Sequence, residues 1–250
     1  AAYSLIPEDA RKTTHLKIGQ ILLKNTPTET QKDNIFVLVN QLNFGIDLLT
    51  SKIEKDELAQ LNLIAGQKAK AATAYEAAVK YLNIGLQILH DHSWQNQYLL
   101  TLQLYIETAE AEYLNTNLEQ ALFLCNLGIT EVNNLLDSLK FYQIKIKIYL
   151  AKNEINTVLD IGQHILDILD ISLVKSPPEN LDIEQLGSLS PMTDPYKLAA
   201  MEILILIYAP ACFAESVMAL PILYTMLELS RQYGNSPSSI YAYAVYGNIT

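Results

Sequence analysis

Between Asp56 and Leu89 the chain reads DELAQLNLIAGQKAKAATAYEAAVKYLNIGLQIL, two helical patterns with almost nothing between them. Leu58, Leu61, Ala65 and Ala69 recur down one side of the first. The second, expected over Ala74 to Leu89, turns Ala78, Leu82, Gly85, Leu86 and Leu89 inward. Small residues mark the contact: Gly66 and Ala69 in the first half, Ala78 and Gly85 in the second. Helices approach to about 8–10 Å only where side chains leave room. Overpacking such a position costs about 1–3 kcal/mol. The pattern predicts two helices lying antiparallel on one another.

The same small positions return. Ala109, Ala121 and Gly128 stand 43 residues after Gly66, Ala78 and Gly85. Their helices are expected from a Ser93 cap to about Leu114, and from Leu118 to about Leu136, with a turn at Asn115 to Asn117. A third copy, Leu139–Ala151 and Ile155–Leu169 about a turn at Lys152 to Glu154, follows at an offset of 37. Ile146, Val158 and Ile165 fill its small positions, so it is degenerate and expected to splay wider. Repetition of a helix hairpin at this spacing is the mark of a tetratricopeptide-like array, whose standard period is about 34 residues. The fold class expected is all-α: tetratricopeptide-like antiparallel helix pairs over residues 53–170, stacked as an α-solenoid.

Residues 1–52 read as N-terminal helices. One runs from Pro7 to about Lys24 with Leu16, Ile18, Ile21, Leu22 and Leu23 apolar. The next starts on a Thr28 cap with Gln31 three residues on, carries Ile35, Phe36, Leu38, Val39 and Leu42, and ends near Gly45. Pro177, Pro178, Pro191 and Pro195 make residues 171–195 an ordered proline-rich crossing, with one short helix near Asp182 to Leu186. Residues 196–250 are helical again. Pro210 is expected to end the helix from Tyr196, and Pro221 to kink or restart the next one, from Glu215 to Tyr233. Gly234 is expected as a left-handed cap, and Ser236 as the N-cap of a last helix from Pro237. That helix meets no stop signal before Thr250, so the C-terminal part is expected to be truncated.

Composition narrows the function. Lys and Arg number 17 against 27 Asp and Glu, a net charge of −10, and arginine occurs only at Arg11 and Arg231. Nucleic-acid binding needs clustered cations, as does a polybasic membrane anchor, so neither is expected. The most apolar run, Ile203 to Ala214, is 12 residues, short of the roughly 20 that span a bilayer; no membrane insertion is expected. Cys125 and Cys212 lie in apolar helical patterns and read as buried thiols, which suits a reducing, cytoplasmic setting. Ala1 to Ala10 has neither the basic start nor the apolar core of a secretory signal.

Chemistry-bearing motifs are absent. No phosphate-cradling G-x-x-x-x-G-K-[ST] and no G-x-S-x-G occurs. His15, His90, His92 and His164 show no metal-binding helical spacing, and His90-Asp91-His92 reads as an exposed turn in preference to a loop metal site. Glu107, Glu110 and Glu112 suit a solvated helix face better than acid–base work. Tyr241, Tyr243 and Tyr246 suit either a contact surface or core filling. The chain is therefore expected to be no enzyme, with no catalytic residues, metal or cofactor.

Several words, AAYSLIPED, HLKIGQILL, QLNLIAGQKAKAATAYEAAVKYL, PMTDPYKLAA and YGNSPSSIYAYAVYG, resemble one family. It is the helical-repeat region of large, mostly cyanobacterial signalling proteins. These place a Ser/Thr-kinase-like domain and an AAA-type (STAND) ATPase before this region, and a GAF domain and a sensor histidine kinase after it. The resemblance implies that the first ten residues leave an ATPase module. It also implies that the ATP-binding loop and the phospho-accepting histidine lie outside this sequence.

In tetratricopeptide arrays the first helix of each pair lines a concave face that holds a peptide or another domain. Carried onto this register, those positions are Gln60, Gln67 and Lys70 in the first copy, Gln103, Glu110 and Tyr113 in the second, and Lys140, Gln143 and Lys147 in the third. A plain solvated face is the alternative. The reading is a non-catalytic regulatory scaffold in a signal-transduction protein, whose partner is a protein or an intramolecular domain. A homodimer is also allowed. The alternative is a small-molecule effector-sensing domain, with a pocket among the apolar helices around Ile203 to Leu229.

Overall fold

A computed structural model describes residues 7–178 and 187–249. The expected short helix at Asp182 to Leu186 and the expected exit segment at the N-terminus lie largely outside them. The described residues are all-helical: thirteen α-helices, one 3-10 turn and no strand. They form two compact units that divide at Val132/Asn133.

The first unit holds α1 (Glu8–Asn25), α2 (Thr28–Gln31), α3 (Ile35–Phe44), a 3-10 turn (Ile46–Leu48), α4 (Lys52–Ala71), α5 (Tyr75–Gln87), α6 (Ser93–Asn96), α7 (Tyr98–Leu114) and α8 (Leu118–Glu131). Helix α1 packs on α3 and α3 on α4. The α4–α5 hairpin is the most extensive contact, and α7 then lies against both α5 and α4 before pairing with α8. The small residues sit in those contacts: Gly66, Ala69, Ala78, Gly85, Ala109, Ala121 and Gly128 are all buried. A Cβ on Gly66 would fall inside Leu82, and one on Gly85 would stand 2.7 Å from Leu104 Cδ2.

Local signals misplace several ends. Thr28 caps nothing: α2 is a single turn starting after Pro27, and the helix restarts at Ile35. Ser93 is likewise no cap, because His92 turns left-handed before α6 and the chain breaks again at Gln97. The expected reach of α8 to Leu136 fails because Asn134 caps α9, its side chain accepting from Leu136 N at 2.9 Å. In α1, Ile18 and Ile21 are exposed; its one substantial neighbour in the unit, α3, needs only the stripe through Leu16, Gly19 and Leu23.

The second unit holds α9 (Leu135–Ala151), α10 (Ile155–Ile168), α11 (Pro195–Phe213), α12 (Ala219–Tyr233) and α13 (Ser239–Ile249). Here α11 lies against α10 and α9, as α7 does against α5 and α4, and α12 and α13 follow. Ile146, Val158 and Ile165 are fully buried, and α9 and α10 touch less extensively than α4 and α5. Closeness moves one step along: Gly162 admits Ile207 of α11, whose Cγ2 would lie 2.7 Å from an added Cβ.

Pro210 does not end α11. It sits in the last turn, where only one N–H is forgone and Ala214 N still donates to Pro210 O at 3.0 Å. Pro221 falls in the first turn of α12, whose N–H groups lack helical partners anyway, so it neither kinks nor restarts the helix. Asp194 is the cap the sequence reading missed, accepting from Tyr196 N at 2.8 Å with Pro195 at the first helical position. Cys125 is buried but Cys212 is exposed, being on the outer side of the last turn of α11. Helix α11 is long and apolar enough to cross a bilayer, yet Ala200, Met201, Ile203, Leu204, Ile207 and Ala211 are fully buried in the unit's core.

Five helix ends share one geometry. After α4, α7, α9, α10 and α11 the residue in the left-handed region is Thr73, Thr116, Asn153, Asp170 and Glu215, with φ between 50° and 65°. Each donates to the carbonyl three residues back, and its successor to the carbonyl five back, as in Ala74 N to Ala69 O at 2.9 Å and Asn117 N to Glu112 O at 2.8 Å. This is the Schellman motif, which normally ends on glycine. A β-branched residue there carries about 1–2 kcal/mol of strain. Thr73→Gly and Thr116→Gly should therefore each stabilise the chain by about 1 kcal/mol after the entropy loss of glycine, read as a raised urea midpoint at unchanged m-value.

Candidate interaction groove on the first helices

Helices α4 and α7 open the pairs of the first unit and α9 and α11 those of the second, and within each unit their facing side chains meet. Lys70 on α4 places Nζ 2.5 Å from Glu107 Oε2 and 2.6 Å from Glu110 Oε2, both on α7. Gln67 Nε2 donates to the other oxygen of Glu107 at 3.0 Å. Three of the side chains are largely covered, with 19% exposure for Lys70 and 20% and 30% for the glutamates. In the second unit Gln143 on α9 donates to Glu202 Oε2 on α11 at 2.7 Å. A glutamine on one first helix thus reaches a glutamate on the next in both units.

Burial by itself lowers the Lys70 pKa, but the hydrogen bonds and charges of Glu107 and Glu110 outweigh it and leave the value raised. A raised lysine pKa means that the rung's stabilisation is complete below the ordinary value of 10.5 and is lost as pH rises through the folded value. Lys70→Met leaves Glu107 partly buried and short of its cation, so it should cost about 2 kcal/mol at neutral pH. The difference from the parent chain should shrink as pH rises through the alkaline range, which urea titrations across pH will report.

The predicted groove residues separate into two sets. Gln67, Lys70, Glu110 and Gln143 are spent, at least in part, on these lateral contacts or half-buried beside them. Gln60, Gln103 and Lys140 are exposed, while Tyr113 and Lys147 are half-buried. An open cleft of about 570 Å³ runs beside α4, lined by Lys32, Asp33, Gln60, Ile64, Gln67 and Lys68. A smaller one of about 230 Å³ lies where α9 meets α11, with Lys140, Gln143 and Glu202 at its rim.

Glu107 and Glu202 were missed as groove residues, and Glu107, Glu110 and Glu112 do not form a plain solvated face. Two of them hold Lys70. Glu112 is 3% exposed and accepts from Asn83 Nδ2 at 3.2 Å and Asn117 Nδ2 at 2.7 Å, pinning the turn after α7. His15 hydrogen-bonds Gln41 and lies on Phe44, and His164 packs edge-on to Tyr142. His92 is an exposed turn residue, and His90 faces Asp56 at 3.8 Å. Among the described residues no three His, Cys, Asp or Glu side chains are grouped to hold a metal. Tyr243 donates to Asn235, while Tyr246 meets Tyr224 and Tyr241 meets Tyr208 edge-on, so these tyrosines join α13 to the helices beneath it.

No family model matches the chain, and no solved structure matches it. It is similar to Hybrid signal transduction histidine kinase G of Dictyostelium discoideum, 30% identical over 145 residues, which covers 48% of this chain. The chain spans about 4% of the length of that relative.

Proposed function

We propose that the chain is a non-catalytic, tetratricopeptide-like scaffold within a signal-transduction protein, and that it docks a protein segment or neighbouring domain on the polar face of its first helices. The observation that carries this is the repeated arrangement of helix pairs. Within each unit the second opening helix lies against both helices of the pair before it, α7 on α4 and α5, and α11 on α9 and α10. Stacking of this kind lines up the two opening helices of a unit along one side of that unit. The exposed Gln60 and Gln103 belong to that side, and the 570 Å³ cleft opens beside it. Similarity to a histidine kinase that is many times longer supports the signalling context.

The effector-sensing alternative has less behind it. Ile203, Leu204, Ile207, Ile222, Leu223, Met226 and Leu227 fill the space between α11 and α12 with their own side chains. The test is to introduce Gln60→Arg and Gln103→Arg together in the protein as it occurs in the cell, and to read phosphoryl transfer. Lys80→Asp, on the exposed side of α5, is the control. The proposal expects output to change about fivefold or more for the groove pair, an energy of about 1 kcal/mol, with the control unaffected. Unchanged output for a folded groove variant contradicts it.

A further inference from the structure

Cations gather on α9, in a chain whose net charge is −10. From Leu135 to its cap at Lys152 this helix carries Lys140, Lys145, Lys147 and Lys152 against one carboxylate, Asp137. Three of the four lysines are occupied. Lys145 lies over the Tyr142 ring and Lys152 over the Tyr149 ring, and Lys147 has a partner of its own, as does Asp137. Lys140 differs. It is exposed, and among the described residues no carboxylate lies within ion-pair distance of its ammonium. In the first unit, by contrast, Lys70 is held by Glu107 and Glu110. Lys140 stands at the rim of the 230 Å³ cleft between α9 and α11. The floor of that cleft is apolar: Leu139 is buried, and Leu136, Leu198 and Ala199 are half-buried. At the rim Gln143 donates to Glu202 Oε2 at 2.7 Å, and the carboxylate keeps capacity to accept one more donor.

We infer that this cleft takes an extended protein segment carrying an aliphatic side chain and, two residues along, an acidic one. The inference rests on the docking role proposed above and names the chemistry of the occupant in the second unit. One turn of helix, about 10 Å across and 5.4 Å high, fills about 400 Å³. That is more than the cleft holds, so a side chain enters it and a helix does not. In an extended segment residues two apart share a face and stand about 7 Å from one another. The aliphatic side chain covers the exposed parts of Leu136, Leu198 and Ala199. The acidic one pairs with Lys140, and the excess of lysine on α9 draws it there. A backbone N–H of the segment donates to Glu202.

The experiment titrates the 250-residue chain at low salt with four labelled nine-residue peptides. They share a threonine-rich frame and differ at two positions two apart: Leu with Glu, Leu with Gln, Leu with Lys, and Ala with Glu. Each also carries a photo-reactive group for mapping. The Leu/Glu peptide should bind at least about fivefold tighter than each of the others. Added salt should erase its advantage over Leu/Gln, which is electrostatic, and keep its advantage over Ala/Glu, which comes from apolar burial. Lys140→Glu, at an exposed position, should make Leu/Lys the best ligand, a reversal that mere loss of structure does not produce. Equal binding of all four peptides, with crosslinks still on α9 and α11, overturns the inference and leaves the docking role standing. Crosslinks on other helices only, or no saturable binding below about 1 mM, overturn the inference, and the docking role then rests on the phosphoryl-transfer readout for Gln60 and Gln103.

Discussion

Gly234→Ala should destabilise the second unit by about 3 kcal/mol, lowering its melting temperature by roughly 10–15 °C. Gly234 follows α12 with φ 95° and ψ −178°. Its φ is positive as the sequence suggested, but its ψ is extended, so it is not the left-handed helical cap expected. This region of backbone space belongs almost solely to glycine, and other residues pay about 1–3 kcal/mol to enter it. Space adds to the conformational cost. A Cβ would run into Ser190 O and stand 3.2 Å from Met192 N and from Pro191 C. All three are backbone atoms, so no rotamer change relieves the clash. They belong to the short pairing in which Asn235 N donates to Ser190 O and Met192 N to Asn235 O, each at 2.8 Å. That pairing fastens the approach to α11 to the start of α13, and helix α13 itself begins at Ser239, two residues later than the Pro237 start the sequence suggested. Gly187, with open space around its Cβ direction, is the control. Gly187→Ala should leave the thermal transition followed by circular dichroism unchanged.

Gly66→Leu should cost about 3 kcal/mol, the upper part of the usual overpacking range. Even the first added carbon overlaps Leu82 Cγ and lies 2.6 Å from Leu82 Cδ2. Leu82 is fully buried, so it has no solvent to swing into, and α5 must move away from α4. Gly66→Ala sets about 1 kcal/mol of gained helix propensity against the same overlap, so its effect should be smaller. Leu82→Ala alone should cost about 2–5 kcal/mol by opening a cavity. Combined with Gly66→Leu, the new side chain occupies that space. The double variant should then be more stable than the sum of the singles by over about 1 kcal/mol, the sign of a direct contact. Additive losses would mean that the two residues do not touch in solution.

The helix pairs were legible because their cause is local and repeated: apolar residues at helical spacing, with small ones wherever two helices approach. Gly66, Ala78, Ala109 and Ala121 could be placed by counting. The turns were legible in position but not in chemistry, since Thr73 and Thr116 occupy a conformation that sequence rules give to glycine. The breaks at Gln31 and Gln97 were hidden because the signals at Thr28 and Ser93 say where a helix can start and not that it stops after a single turn. The lateral rungs were hidden for another reason. Gln67 and Glu107 meet only because of how α4 and α7 are rotated against each other, and Gln143 and Glu202 depend likewise on α9 and α11. No spacing within one helix encodes that rotation. Pro210 misled because proline stops a helix only where the forgone hydrogen bond would matter. The first-helix positions were thus readable from the register, but not which of their side chains are already engaged with one another.

Whether a partner docks on the first helices can be measured directly by photo-crosslinking. Benzophenone side chains at Gln60 and Gln103, exposed on the first helices, are compared with the same group at Lys80 and Phe123, exposed on α5 and α8. The probes are carried in the intact protein in its own cells, and the adducts are sequenced by mass spectrometry. Adducts to one defined protein segment from positions 60 and 103, with none from 80 and 123, are the predicted result. Adducts that arise from 80 and 123 instead would contradict it.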